Sequence, residues 1–172
     1  MSTARKASAV IVAGLIVGIV SGLALGVVWW QLAPRVPVIV QQGVSFPEVY
    51  QPEGYLAADA AFGALGLLAG VAITIGLANM RRDHLLSVLI GGLLASAVGT
   101  AAMWFVGTRL GSVDIEGLSA TTTEDLVVDA PLRVAMPGMF VMWALGAAGV
   151  VTVLALGDWI AEVRSSRRNP AQ

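Results

Sequence analysis

Apolar residues run almost unbroken through four stretches of this chain, 7–33, 56–79, 85–106 and 134–156, with the polar and charged residues gathered between them. A helix needs roughly 20 residues, at about 1.5 Å each, to cross about 30 Å of hydrocarbon. Each stretch is long enough. The notable interruptions are Asp59, near the start of the second stretch, and Pro137, in the first turn of the fourth. Proline is tolerated there because first-turn N–H groups have no partner within the helix. The pattern predicts an all-α membrane protein, a four-helix bundle forming one membrane domain over 1–172. Spans at 7–33, 56–79, 85–106 and 134–156 are joined by outer loops at 34–55 and 107–133.

The first and third stretches read as copies. Gly18/Gly92, Trp30/Trp104, Arg35/Arg109, Gly43/Gly117 and Ser45/Ser119 recur at a constant separation of 74. The second and fourth stretches share Ala64-Leu65-Gly66 and Ala144-Leu145-Gly146 at a separation of 80. The chain therefore reads as two tandem helical hairpins of like orientation, related by a pseudo-two-fold axis along the membrane normal.

Within the first helix Gly14, Gly18, Gly22 and Gly26 follow one another at every fourth position, which places them on one face. Helices in lipid associate through close van der Waals contact, and small residues permit it. The third helix offers Gly92, Ser96 and Thr100 at the matching positions, the second Gly66 and Gly70, the fourth Ala144 and Ala148. The two ridges of the first and third helices are expected to meet near the axis.

Composition agrees with the bilayer as solvent. The chain is 57% hydrophobic and only 12% charged, against about 25% charged in soluble domains. Arg5 and Lys6 precede the first run, but a secretory signal core is about 7–15 residues. This run continues through Trp29 and Trp30, so it is read as a retained span. With no cysteine in the chain, disulfides, thiolate metal sites and cysteine nucleophiles are excluded. His84, in a charged turn, reads as solvated.

Charge sets an orientation. Arg5, Lys6, Arg81, Arg82, Arg164, Arg167 and Arg168 fall on one side of the spans, and Arg35, Arg109 and Arg133 on the other. The positive-inside rule then places both termini in the cytoplasm. The acids Glu48, Glu53, Asp114, Glu116, Glu124, Asp125 and Asp129 all lie in the outer loops. Trp29, Trp30 and Trp104 are expected at the outer interface and Trp159 at the inner one. The basic tail is a topology determinant, and nothing in the pattern calls for nucleic acid.

The outer loops contain two β-branched segments, 36–40 and 126–128, expected as short strands of a small cap. Arg35 and Arg109 each follow an interfacial tryptophan by five residues, a placement able to clamp an anionic head group or carboxylate through guanidinium forks. Asp59 is the one charge inside a span. A carboxylate there is costly unless paired or facing a polar cavity, and Arg133 or Arg109 is the expected partner. Glu53, Asp59, Arg35, Arg109 and Arg133 are thus the candidate binding residues. No paired aspartates, Ser/His or Ser/Lys arrangement or metal-ligand set stands in the spans. No enzyme, metal or cofactor is expected.

The stretch Glu53…Asp59 followed by Ala-Ala-Phe-Gly-Ala-Leu-Gly, with Trp30 and Arg35 ending the first helix, resembles a family of small four-span membrane proteins of high-GC Gram-positive bacteria, a domain of unknown function. The resemblance covers roughly 14–156 and implies the four-span fold. It transfers no catalytic residue. A single lysine among nine arginines, with abundant Ala, Gly and Val, fits a GC-rich bacterial genome. The expected function is a non-enzymatic accessory or scaffold subunit of the bacterial plasma membrane, binding membrane lipids and another membrane protein or itself. The alternative is a small-solute or ion transporter with Asp59 and the arginines lining an outer vestibule.

Overall fold

A computed structural model describes residues 3–41, 44–47, 52–80, 84–114, 117 and 126–168. In lipid every backbone N–H and C=O must be satisfied within its own segment, so apolar runs rich in Val, Ile and Gly still fold as helices. The chain forms α1 (Thr3–Leu32), α2 (Pro52–Met80), α3 (Leu85–Leu110) and α4 (Met142–Arg168). Among the described residues these supply four segments long and apolar enough to cross a membrane: Ser8–Leu32, Glu53–Met80, Leu85–Leu110 and Pro137–Ser166. This is the architecture of a multi-pass membrane protein.

The helices extend past the apolar runs. α2 starts at Pro52 and α4 continues to Arg168. Pro137 opens a separate 3-10 turn, Pro137–Val141, that leads into α4. The fold is not wholly helical. Strands β1 (Pro37–Gln41), β2 (Val44–Pro47) and β3 (Leu126–Asp129) form an antiparallel sheet in the order β2-β1-β3. Ile39 stands opposite Phe46 on one side and Val127 on the other. Both expected extended segments are in this sheet. Val36, Val38 and Ala130 are buried beneath it, with Tyr55 packed against them.

Two lateral seams organise the bundle. α1 lies along α3, and the register is read from where a Cβ on each glycine would go. At Gly14 it would sit 2.7 Å from the Gly91 carbonyl oxygen, at Gly18 2.5 Å from that of Ala95, and at Gly26 2.8 Å from that of Met103. At Gly22 it would collide with the Gly99 carbonyl oxygen. The separation stays at 77 throughout, so the two helices run in the same direction in backbone contact.

The α3 side of this seam is Gly91, Ala95, Gly99, Met103 and Gly107. Gly92 and Ser96, expected there, lie one position further round, about 100° of helix. A Cβ at Gly92 would meet the Thr74 hydroxyl at 2.9 Å and the Ala147 Cβ at 3.4 Å, so that face looks toward α2 and α4. Ser96 and Thr100, on the same face, are buried, and the Ser96 hydroxyl donates to the Gly92 carbonyl at 2.7 Å.

α2 and α4 form the second seam. A Cβ at Gly146 would stand 2.5 Å from the Leu67 carbonyl oxygen, and one at Gly70 would overlap the Trp143 backbone. The Trp143 indole crosses the bundle, its Cη2 lying 2.5 Å from where a Gly99 Cβ would be. One core cluster, with Trp29, Phe62, Met103, Leu132 and Trp143, lies toward the sheet end. A second, with Val10, Leu77, Val88 and Val151, fills the opposite end.

Candidate functional site

The candidate residues converge on the sheet end, where α1 stops, α2 begins and the chain approaches α4. Asp59, just over two turns into α2, is fully buried (0% exposed). The expected arginine is not its partner. The Ala135 N–H donates to both carboxylate oxygens at 3.1 Å, and the Met136 N–H donates to Oδ2 at 2.6 Å. Met136 is extended and immediately precedes Pro137 at the start of the 3-10 turn. Helix starts carry N–H groups with no intrahelical acceptor, and a side-chain oxygen is their usual cap. Asp59 supplies that cap from another helix and so ties α2 to the segment leading into α4.

The neighbouring residue makes a second tie. The Trp29 indole N–H donates to the Ala58 carbonyl at 2.9 Å. Trp29 is 0% exposed, so it belongs to the core and not to the interface. Its ring meets Phe62 edge-on at 4.9 Å, and Phe62 leads to Phe140 at 5.4 Å. Gly107 makes room for it: a Cβ there would overlap the Trp29 ring. Trp104 and Trp159, by contrast, are exposed.

Each arginine lies against an aromatic ring. Arg35 stands 5.8 Å from the Trp30 ring, Arg109 5.2 Å from Phe105 and Arg133 5.2 Å from Tyr55. Arg35 Nη2 also donates to the Trp30 carbonyl at 3.3 Å, and Nη1 is 3.9 Å from Asp129. Arg35 and Arg133 line one small cleft, about 10 Å³, whose walls include Pro34, Tyr55, Ala58 and Pro131. Arg109 is not among its lining residues. Glu53 is exposed on the first turn of α2.

Tyr55 and Trp143 carry parts of this architecture that the apolar pattern does not mark. Among the described residues the Trp143 and Trp30 indole nitrogens and the Thr74 hydroxyl are buried with no hydrogen-bond partner. No group of three or more His, Cys, Asp or Glu side chains is placed to hold a metal ion among those residues. The charged positions 81–83, 48, 116, 124 and 125, and the polar run 119–123, lie outside the described residues.

On its outer flank the α2/α4 seam opens into an apolar groove of about 480 Å³, lined by Leu67, Val71, Ile75, Gly149, Val153 and Leu154 among others. Nothing lies within 4 Å of a Cβ position at Gly149. Comparison with protein-family models, curated proteins and solved structures finds no match for this chain.

Proposed function

We propose that this chain is a non-enzymatic accessory subunit of the bacterial plasma membrane that holds a partner membrane protein in the plane of the bilayer. The α2/α4 groove carries the reading. It is apolar, lies along two candidate spans and is floored by glycine backbone, which is what a partner helix needs for close approach. In the same reading the chain is two tandem hairpins about a pseudo-two-fold axis, with both termini in the cytoplasm and the sheet outside. A reporter active only outside the cytoplasm should work after Ser45 and fail at Gln172. The opposite result reverses the orientation.

A photo-crosslinker at Val153 tests partner binding in cells, with Ile16, exposed on α1, as the control position. The expected result is one membrane protein captured from Val153, not from Ile16, and lost when Gly149→Leu fills the groove. Capture of lipid alone, or equal capture from both positions, removes the reading. The transporter alternative draws less support, because the Asp59 carboxylate is engaged by backbone amides and does not line an open vestibule.

A further inference from the structure

The Arg35/Arg133 cleft stands apart from the groove and does not depend on the partner-binding reading. A guanidinium carries five N–H donors. Arg133 makes no hydrogen bond and no ion pair among the described residues; its guanidinium lies over the Tyr55 ring. Arg35 makes one long hydrogen bond and a 3.9 Å pair with Asp129, whose side chain is 57% exposed. Most donors of the two side chains are therefore unspent.

The surrounding acids are few. Asp59, next to the cleft residue Ala58, is committed to the Ala135 and Met136 amides. Glu53 precedes Tyr55 by two residues, about 200° around the helix, so it lies on the far side of α2 from the cleft. Asp129 is the one carboxylate within reach of either guanidinium among the described residues.

Size and depth narrow the ligand. A volume of about 10 Å³ is close to that of one water-sized group, so a single oxygen enters while the rest of the molecule stays outside. Pro34 and Pro131 in the walls have no backbone N–H to offer, and the Ala130 and Leu132 N–H groups are spent on the Val36 and Gly111 carbonyls; the guanidinium forks bring the charged donors. Arg35 follows the end of the first span at Leu32 by three residues, and Arg133 precedes the fourth at Pro137 by four. That is head-group depth, where the polar layer is about 5–7 Å thick on each side.

We propose that Arg35 and Arg133 together hold a phosphate oxyanion at the sheet end of the bundle, one oxygen seated between them and the others facing the membrane surface. Planar forks suit phosphate, and the source is either a phospholipid head group or free phosphate.

The test uses the full chain in an uncharged maltoside detergent, stripped of lipid. Phosphatidylglycerol, a phosphate-free galactolipid and inorganic phosphate are added separately. Bound molecules are counted by native mass spectrometry, and unfolding temperature is followed. Phosphatidylglycerol should be retained and should raise the unfolding temperature, and the galactolipid should do neither. Arg133→Gln and Arg35→Gln should retain several-fold less phosphatidylglycerol, Arg133→Lys an intermediate amount, and Arg109→Gln as much as the unaltered chain. Arg133 is exposed and unbonded, so Arg133→Gln should match the unaltered chain in lipid-free unfolding temperature, which separates lost binding from lost fold. Inorganic phosphate that stabilises the protein and displaces phosphatidylglycerol identifies free phosphate as a ligand; stabilisation by the lipid alone identifies the head group. Equal losses in Arg109→Gln and Arg133→Gln, or no response to either phosphate source, overturns the proposal.

Discussion

The two seams are both parallel helix pairs with glycines set against backbone, yet they differ in how far that contact extends and what fills the rest. Along α1/α3 glycines bring backbone to backbone over four successive contacts, joined at Gly26 by the Val106 side chain. Along α2/α4 a tryptophan is the filler. The Trp143 ring stands between Gly70 of α2 and Gly99 of α3, and past Gly146 one flank of the pair is left open as the groove. Helices in lipid gain little from hydrophobicity toward one another. The first seam is closed by backbone contact along its length, while the second leaves an apolar surface uncovered.

Breaking the closed seam should have the largest effect. Gly22→Leu places a branched side chain against the Gly99 carbonyl, which has nowhere to move without parting the helices. Overpacking commonly costs about 1–3 kcal/mol and sometimes more, and this site belongs at the upper end. Thermal unfolding in detergent should show a large drop, with Ile16→Leu, on an exposed position, unchanged. If both melt alike, α1 and α3 are not in backbone contact.

Trp143 tests the filled part of the second seam. Trp→Ala in a core costs about 3–5 kcal/mol, and Trp143→Ala should approach that. Because its indole N–H has no partner, Trp143→Phe should lose far less. Equal losses would mean that the nitrogen, and not the ring's bulk, matters.

The cap that ties α2 to the segment entering α4 at the sheet end comes next. Asp59→Ala removes the acceptor of the Ala135 and Met136 amides; a stranded buried donor costs about 1–3 kcal/mol, and because these bonds are part-buried the loss should fall at the lower end. Since the carboxylate meets backbone and not guanidinium, its loss should add to that of Arg133→Gln or Arg109→Gln to within about 0.5 kcal/mol. A large coupling with either arginine would restore the ion pair that the spacing of charges first proposes.

The smallest effect belongs to the open groove. A Cβ at Gly149 meets no neighbour, and Gly149→Leu, reaching into open groove, should shift stability by no more than about 0.5 kcal/mol, while Gly146→Leu, against the Leu67 backbone, should be severely destabilising. Comparable losses at both would mean that the groove is closed in the membrane.

The candidate site was half legible. Asp59 announces itself as a charge in an apolar run, but its partners are backbone amides, a group every residue but proline carries, so nothing in the spacing of side chains marks Ala135 and Met136. Arg35 was legible as a guanidinium just past the end of the first apolar run. By spacing Arg109 was the natural second member, yet it is Arg133 that lines the cleft with Arg35. The reason is local: Arg109 is still on α3, against Phe105, while Arg133 lies on the stretch that returns from β3 past Ala130 and Tyr55.

By itself the sequence determined the four spans, the shared glycine face of α1 and the short strands of the cap. Each follows from a local property: length of apolar run, a four-residue period, β-branching. Only the tertiary structure decided which column of α3 meets that face. Gly91, Ala95 and Gly99 stand beside Gly92, Ser96 and Thr100, two adjacent columns of small residues, and choosing between them requires the rotation of one helix against three others. It also sent Trp29 inward, because Gly107 opposite it leaves room for an indole, and set Trp143 as the wedge of the second seam. Such outcomes depend on what lies across an interface, and a linear pattern does not contain the other side.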